Sequence, residues 1–106
     1  MSTGPDLSGR TALVTGSATR VGRELLLRLA AHGADVAVHY RTSEAAATAT
    51  AEEARDHGVD ATTVRGDVTD PDEVDAMFDA VESELGTVDI LVNNVGNFDA
   101  RHWADI

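Results

Sequence analysis

The sequence predicts an α/β protein built on a parallel sheet, and two patterns indicate this. Four short, β-branched segments recur at nearly even intervals along the 106 residues. Between them lie three segments whose apolar residues recur at helical spacing. Because strands that alternate with helices favour right-handed crossovers between parallel strands, the predicted order is β-α-β-α-β-α-β in one small domain.

The four predicted strands are bounded by Gly, Asp or Asn, which are typical of turns. The third strand is the least apolar of the four. The run Ile90-Leu91-Val92 in the last strand does not alternate with polar residues, which is typical of a parallel strand covered on both faces. The strands are predicted at Thr11–Thr15, Val36–Tyr40, Thr62–Arg65 and Val88–Val92.

Two helices are predicted from their composition and from the glycine that follows each. The segment Ser43–His57 is rich in alanine, a strong helix former, and Gly58 is expected to end it. The segment Val21–Ala31 precedes Gly33 and carries one apolar stripe. The residues expected on the buried side of this first helix are Leu25, Leu26, Leu29 and Ala30.

The third helix has the clearest start signal. Asp70 is expected to cap it, Pro71 fits its first position, and Glu73 stands where a capping box requires a carboxylate. Gly86 is expected to end the helix. Its apolar stripe consists of Val74, Met77, Phe78 and Val81.

The composition argues against several classes of function. Nineteen Asp and Glu residues against eight arginines and no lysine give a formal net charge of -11. A surface this acidic repels phosphate backbones, which argues against nucleic-acid binding. No cysteine is present to form a disulfide or a thiolate site, and the four histidines lack metal-ligand spacing, so no metal site is predicted.

No apolar run approaches the length of a transmembrane helix, and the N-terminus lacks a secretory signal. A cytoplasmic protein without membrane contact is therefore expected. Its acidic, lysine-free composition suits either a high-salt cytoplasm or merely a GC-rich genome.

A turn between the first strand and the first helix is the most specific local motif. It reads Thr15-Gly16-Ser17-Ala18-Thr19-Arg20-Val21-Gly22 and lies where a parallel α/β sheet binds phosphate, at a helix N-terminus. Gly16 permits a tight turn, and Gly22 permits close packing of the helix on the strand. The alternative is an ordinary turn whose glycines serve only packing, since the G-x-G-x-x-G fingerprint is absent.

The end of the second strand bears on cofactor choice. Folds that bind NAD usually carry a carboxylate there, about 20 residues after the turn, for the ribose 2′-hydroxyl. Here the segment is His39-Tyr40-Arg41-Thr42-Ser43, so Tyr40 or Arg41 takes that place. Arg41 beside two hydroxyl side chains can bind the 2′-phosphate of NADP, and Arg20 adds a second positive charge. Alternatively, Arg41 is a solvated side chain and Ser43 only caps the second helix.

Four motifs lie at the ends of the predicted strands. They are Thr15-Gly16-x-x-x-Arg20-x-Gly22, Asp67-Val68, Thr69-Asp70 and Val92-Asn93-Asn94-Val95-Gly96. Over nearly the whole chain they resemble the short-chain dehydrogenase/reductase family, which has Thr-Gly-x-x-x-Gly-x-Gly, an adenine-holding Asp and Asn-Asn-Ala-Gly at these places. Arg20 in place of the middle glycine, together with His39-Tyr40-Arg41, is similar to pteridine reductases and to relatives of 3-oxoacyl-carrier-protein reductase.

The resemblance implies a Rossmann-type sheet of order 3-2-1-4, incomplete relative to the full family fold. Residues 1–106 are then the NADP(H)-binding N-terminal half of an oxidoreductase domain that reduces a carbonyl or pterin-type substrate, with NADP(H) preferred over NAD(H). The residues expected to bind the cofactor are Gly16, Ser17, Thr19, Arg20, Val21, Gly22, Tyr40, Arg41, Thr42, Ser43, Asp67, Val68, Asn94, Val95 and Gly96.

The family's catalytic Asn, Ser, Tyr and Lys find no match here. Tyr40 is the sole tyrosine and falls on the adenosine side, and no lysine is present. No catalytic residue is therefore assigned, and the 106-residue chain alone is expected to be inactive unless a C-terminal half completes the substrate site.

Two alternatives remain open: a non-catalytic nucleotide-binding module, and a truncated or split subunit completed by a second polypeptide. The exposed edge of the fourth strand also predicts self-association or a partner chain there.

Overall fold

The computed structural model describes residues 6–94 as a four-stranded sheet with helices on both faces. All paired strands are parallel, and their order across the sheet is β3-β2-β1-β4. The predicted α/β class and strand order are confirmed. The elements are β1 Thr11–Val14, α1 Arg20–Ala31, β2 Asp35–Tyr40, α2 Glu44–Arg55, β3 Ala61–Arg65, α3 Pro71–Leu85 and β4 Ile90–Val92.

The register gathers the carboxyl ends of the strands at one edge of the sheet. Val14 at the end of β1 lies opposite Val38 of β2 and opposite Val92 of β4. At the end of β2, Tyr40 lies opposite Arg65 of β3. The loops that follow the four strands therefore meet along this edge, where open α/β sheets bind their ligands.

The two faces of the sheet carry separate apolar clusters. The α1/α2 face is covered by helices α1 and α2, and Val36 and Val38 of β2 point into it. The α3 face is covered by helix α3, and Ala37 of β2 points into it, as the alternation of side chains along a strand requires. The buried residues of the α3 face are Leu13, Ala37, Val64, Met77 and Val81.

The buried stripe of α1 differs from the predicted one. Gly22, Leu26 and Ala30 are the buried residues, and because they are spaced by four they form one row along the helix. Leu25 lies beside this row and is 40% exposed, so its predicted burial is wrong. Leu29 is half-buried.

β4 is shorter and less covered than predicted. It comprises Ile90–Val92, and all three residues are half-buried, so within residues 6–94 it is not covered on both faces. Asp89 precedes the strand and binds Thr11 twice, because its N–H donates to the Thr11 carbonyl and its carboxylate accepts the Thr11 N–H. Pairing of β4 with β1 is thus secured at its start by a side chain.

Candidate functional site

A cleft of about 470 Å³, called here the main cleft, opens at the carboxyl edge of the sheet. It lies between the β1–α1 turn and the loop after β3. A side cleft of about 170 Å³ adjoins it at the end of β2, where Tyr40, Thr42 and Ser43 contribute to its walls. The main cleft is lined by Gly16, Thr19, Arg20, Val21, His39, Arg41, Gly66, Asp67, Val68, Thr69 and Asn94.

Two glycines shape the β1–α1 turn as the sequence predicts. Gly16 has φ +62°, in the left-handed region that glycine adopts at no steric cost. Gly22 packs so closely on the turn that a β-carbon there would collide with the Gly16 carbonyl and with the side-chain nitrogen of Asn94. This contact keeps the start of α1 against the end of β1, and a side chain would separate them.

Arg20 occupies the position of the family's middle glycine and keeps a glycine-like backbone. Its φ is +59°, and it is the one non-glycine residue with positive φ in the described chain. That conformation costs an ordinary residue about 1–2 kcal/mol. The Arg20 side chain is exposed in the main cleft, and no carboxylate among the described residues pairs with it.

The amino terminus of α1 differs in charge from those of the other helices. The first turn of α1 contains no acidic residue, whereas α2 has Glu44 there and α3 has Asp72 and Glu73. Because the first N–H groups of a helix lack intrahelical acceptors and carry partial positive charge, acidic residues commonly offset them. The α1 terminus, with Arg20 beside it, is therefore positive in a chain of net charge -11.

Ser17 lies in the turn but faces inward. It is fully buried, its hydroxyl donates to the Val14 carbonyl at 2.6 Å, and the same oxygen accepts the His39 N–H at 3.0 Å. Its own N–H donates to the His39 carbonyl. The polar groups of Ser17 are thus engaged in joining the turn to β2 and do not line the main cleft.

His39 also lines the main cleft, although it was not among the predicted site residues. Its ring is buried, Nδ1 accepts the Gly16 N–H at 2.8 Å, and Nε2 lies 2.8 Å from the Gly66 carbonyl. Burial lowers the pKa of this imidazole, and the Gly66 carbonyl only partly opposes that shift. A histidine within an otherwise apolar strand was the available signal, because a buried polar ring requires partners.

Arg41 and Asp67 form an ion pair of 3.2 Å across the mouth of the cleft. Asp67 also accepts hydrogen bonds from the hydroxyl and the N–H of Thr69. These hydrogen bonds, and to a smaller extent the Arg41 charge, lower the pKa of Asp67. The carboxylate is therefore held ionised and oriented at the carboxyl end of β3.

The start of α3 differs from the predicted capping box. Asp70 caps the helix as expected by accepting the Asp72 N–H at 3.0 Å. Glu73 does not return to Asp70, because the Asp70 N–H already donates to the Asp67 carbonyl. The Glu73 carboxylate instead accepts the Asp67 N–H at 2.9 Å, so it braces the loop that carries Asp67.

The asparagines after β4 have different surroundings. The Asn94 N–H donates to the Thr15 hydroxyl at 2.7 Å, and Asn94 lines the main cleft. The Asn93 side chain accepts from the Thr15 hydroxyl and does not line that cleft. The predicted site residues Val95 and Gly96 lie outside the described residues.

Residues 6–94 contain no group of three His, Cys, Asp or Glu side chains placed to hold a metal ion. None of the helices in this part of the chain is long and apolar enough to span a bilayer.

Comparison with known proteins gives consistent matches. The family model for short chain dehydrogenase matches residues 10–105. Over 87 residues the chain is 45% identical to 3-oxoacyl-[acyl-carrier-protein] reductase FabG of Staphylococcus aureus. The matched region covers 82% of this chain and 35% of that protein. The chain thus spans about a third of the length of the curated relatives it matches.

Two solved structures show the same fold. One, described as a dehydrogenase from Burkholderia cenocepacia with bound NADP, has a TM-score of 0.82 and 34% identity over 89% of this chain and 37% of that chain. The other, a blue fluorescent protein from a metagenomic library in complex with NADPH, has a TM-score of 0.81 and 38% identity over 89% and 39% of the two chains.

Proposed function

This chain belongs to the short-chain dehydrogenase family, and from that premise we propose that residues 1–106 are the NADP(H)-binding N-terminal half of a reductase domain. The complete domain would transfer hydride between the nicotinamide and a carbonyl or pterin-type substrate. The cofactor supplies the hydride, and the protein binds and orients it. The observation that carries the proposal is the Gly16–Gly22 turn, which leads into a helix terminus free of acidic residues.

The turn fits a pyrophosphate group. Thr19, Arg20 and Val21 line the main cleft at the start of α1. The unpaired N–H groups and positive end of a helix attract phosphate oxygens, and glycine lets the backbone approach them closely. Arg20 adds a full positive charge, which explains how a strained arginine can be useful at this position. These features support binding of a dinucleotide.

The end of β2 fits the 2′-phosphate that distinguishes NADP from NAD. The Arg41 side chain is 68% exposed and lies beside the side cleft that Thr42 and Ser43 help to line. Its present partner is the single carboxylate of Asp67. A phosphate monoester carries a charge of about -1.5 to -2 and three acceptor oxygens at pH 7, so it competes well for the same guanidinium. Binding of NADP(H) is then expected to draw Arg41 from Asp67.

The remaining site residues complete the proposed cofactor path. Asp67 and Val68 lie after β3, where the family holds adenine, and Asn94 lies after β4 and lines the same cleft. Neither a Tyr-x-x-x-Lys pair nor any lysine occurs in the 106 residues. We therefore propose that this 106-residue chain binds the cofactor but does not by itself reduce a carbonyl substrate.

Titration of the chain with NADPH and NADH, followed by nicotinamide fluorescence, tests the proposal. We expect NADPH to bind roughly tenfold more tightly or better, because a charge-assisted hydrogen bond contributes about 1.5–3 kcal/mol. Arg41→Ala should remove most of this preference. Arg28→Ala, an exposed arginine in the last turn of α1, makes the same change in net charge and should retain the preference. Equal affinities of the parent chain for the two cofactors would contradict the assignment of Arg41.

A further inference from the structure

The buried imidazole of His39 connects the two walls of the main cleft. On one side it accepts the Gly16 N–H of the β1–α1 turn, and on the other it meets the Gly66 carbonyl, one residue before Asp67. Nothing in the proposed cofactor contacts assigns a role to this ring. Its two partners nevertheless belong to the turn proposed to bind phosphate and to the loop proposed to hold adenine.

The partners determine the tautomer of the ring. The Gly16 N–H is a donor, so Nδ1 must accept and can carry no proton. The Gly66 carbonyl is an acceptor, so Nε2 must carry the proton. Protonation of Nδ1 would place one N–H against another and would leave a buried charge. The bridge across the cleft therefore requires the neutral imidazole.

The ring provides a bond that the neighbouring backbone does not duplicate. Ser17 and His39 join the turn to β2 through main-chain groups and the Ser17 hydroxyl, one residue beyond Gly16. The Gly16 N–H itself is bound by the ring. Because Gly16 adopts φ +62° and packs against Gly22, a change in its orientation would alter the start of α1 directly.

We propose that His39 is a positioning residue of the dinucleotide site, whose neutral ring holds the Gly16 turn and the Gly66–Asp67 loop in the arrangement that binds NADP(H). This inference rests on the proposed function. It implies that binding weakens when the bond to Gly16 is removed by substitution or when the ring is protonated.

The two carboxylates closest to the ring along the cleft edge, those of Asp67 and Glu73, already have partners of their own. Arg20 at the start of α1, Arg41 after the histidine's own strand and Asp67 after β3 line the main cleft with the ring. Glu73 of α3 lines a neighbouring cleft together with Arg41 and Asp67. Arg41 and Asp67 pair with each other, and Glu73 accepts the Asp67 N–H. At the end of β3, Arg65 donates to the Arg41 carbonyl. Burial lowers the pKa of His39 below its ordinary 6.5, so the effect of protonation should appear only in acid.

Two amide substitutions separate the two bonds of the ring. In His39→Asn the amide oxygen stands in for Nδ1, so the bond to Gly16 can persist while the bond to Gly66 is lost. In His39→Gln the amide nitrogen stands in for Nε2, so the bond to Gly66 can persist while the bond to Gly16 is lost. At pH 8 we expect NADPH to bind H39N within about threefold of the parent and H39Q roughly tenfold more weakly, the loss expected for one hydrogen bond.

The pH profile provides a readout that general destabilisation would not produce. The ratio of parent to H39N affinity, measured at each pH, cancels titration of the cofactor 2′-phosphate, whose pKa is near 6. This ratio should be constant above pH 7 and fall as the pH drops through the folded pKa of His39. His57→Asn, at an exposed histidine just beyond α2, should follow the parent profile.

A measurement on the parent chain covers the case in which a variant does not fold. Because linkage is reciprocal, saturation with NADPH must lower the His39 pKa, read from its ring nitrogens by NMR, if protonation weakens binding. An unchanged His39 pKa, or equal NADPH affinity of H39N and H39Q in folded chains, would overturn this inference and leave the proposed function standing. A parent chain that binds no dinucleotide at pH 8 would overturn the proposed function and this inference with it.

Discussion

The two faces of the sheet differ in how completely the described residues cover them. Twelve residues are buried in the α1/α2 face, whereas five are buried in the α3 face. A second contrast runs across the sheet, because all four residues of β1 are buried and all three of β4 are half-buried. Of these three, Ile90 and Val92 pack on the α1/α2 face and Leu91 packs on the α3 face. The comparison indicates that the α1/α2 face is the better-packed base from which the β1–α1 turn projects, whereas the α3 face has the smaller apolar core among residues 6–94.

The largest expected effect is on the free energy of unfolding, and a matched pair of leucine truncations, one on each face, tests the comparison. Leu26 is fully buried in the α1/α2 face, so Leu26→Ala should lower the free energy of unfolding by about 2–5 kcal/mol. Leu91 packs half-buried at the α3 face, so Leu91→Ala should lower it by only about 1 kcal/mol, since less apolar surface is lost. Urea unfolding of both variants measures the difference, and equal losses would show that the two faces are equally well packed.

A second prediction concerns association through β4. The net charge of -11 opposes contact between copies of the chain in dilute buffer, whereas salt screens it and apolar burial then favours contact. We expect the chain to become more compact and to self-associate as NaCl rises to 1 M. The dissociation constant of the self-associated form should be at least tenfold lower at 1 M NaCl than in dilute buffer, which corresponds to about 1.4 kcal/mol. Circular dichroism and sedimentation across a salt series measure both changes.

Leu91→Lys should abolish this association, because it places a charge in β4 itself. Leu25→Lys, which changes an exposed leucine of α1, serves as the matched control and should leave association intact. A compact monomer that is unchanged by salt would contradict the assignment of β4 as an associating edge.

A smaller effect is expected at Arg20, on the turn that projects from the α1/α2 face. Arg20→Gly should raise the free energy of unfolding by about 1 kcal/mol, because glycine adopts φ +59° without strain. The same change should weaken NADPH binding, since it removes a positive charge from the main cleft. Chemical unfolding and NADPH titration of one preparation measure the two effects. A variant that loses stability would show that Arg20 makes contacts that outweigh its backbone strain.

The smallest expected effect is a dependence of stability on pH that arises from His39. Its folded pKa lies below its ordinary value of 6.5, so the unfolded chain binds the proton more readily. The contribution of the neutral ring is therefore complete above pH 6.5 and is lost as the pH falls toward the folded pKa. Comparing urea unfolding of the parent and His39→Asn between pH 7.5 and 5 isolates this contribution, because carboxylate titrations are common to both.

Most of the fold could be predicted from local patterns. Strand and helix periodicities predicted seven elements in the observed order. The Asp70-Pro71 start and the Gly86 end of α3 are also confirmed, and they could be predicted because helix caps depend on residues that are neighbours in the sequence. Leu25 and β4 were predicted less well. How far an apolar residue is buried depends on which elements pack against it, and periodicity does not contain that information.

The candidate site likewise has features that local sequence predicts and features that depend on tertiary contacts. Residue types and spacing by themselves determined the β1–α1 turn, the two glycines that shape it, and the position of Arg41 after β2, because these depend on local chain geometry. Only the tertiary structure revealed that Arg41 pairs with Asp67, that Glu73 braces the Asp67 loop, and that His39 joins Gly16 to Gly66. Such contacts join segments far apart in the sequence, and parallel pairing of the strands brings those segments to one edge of the sheet.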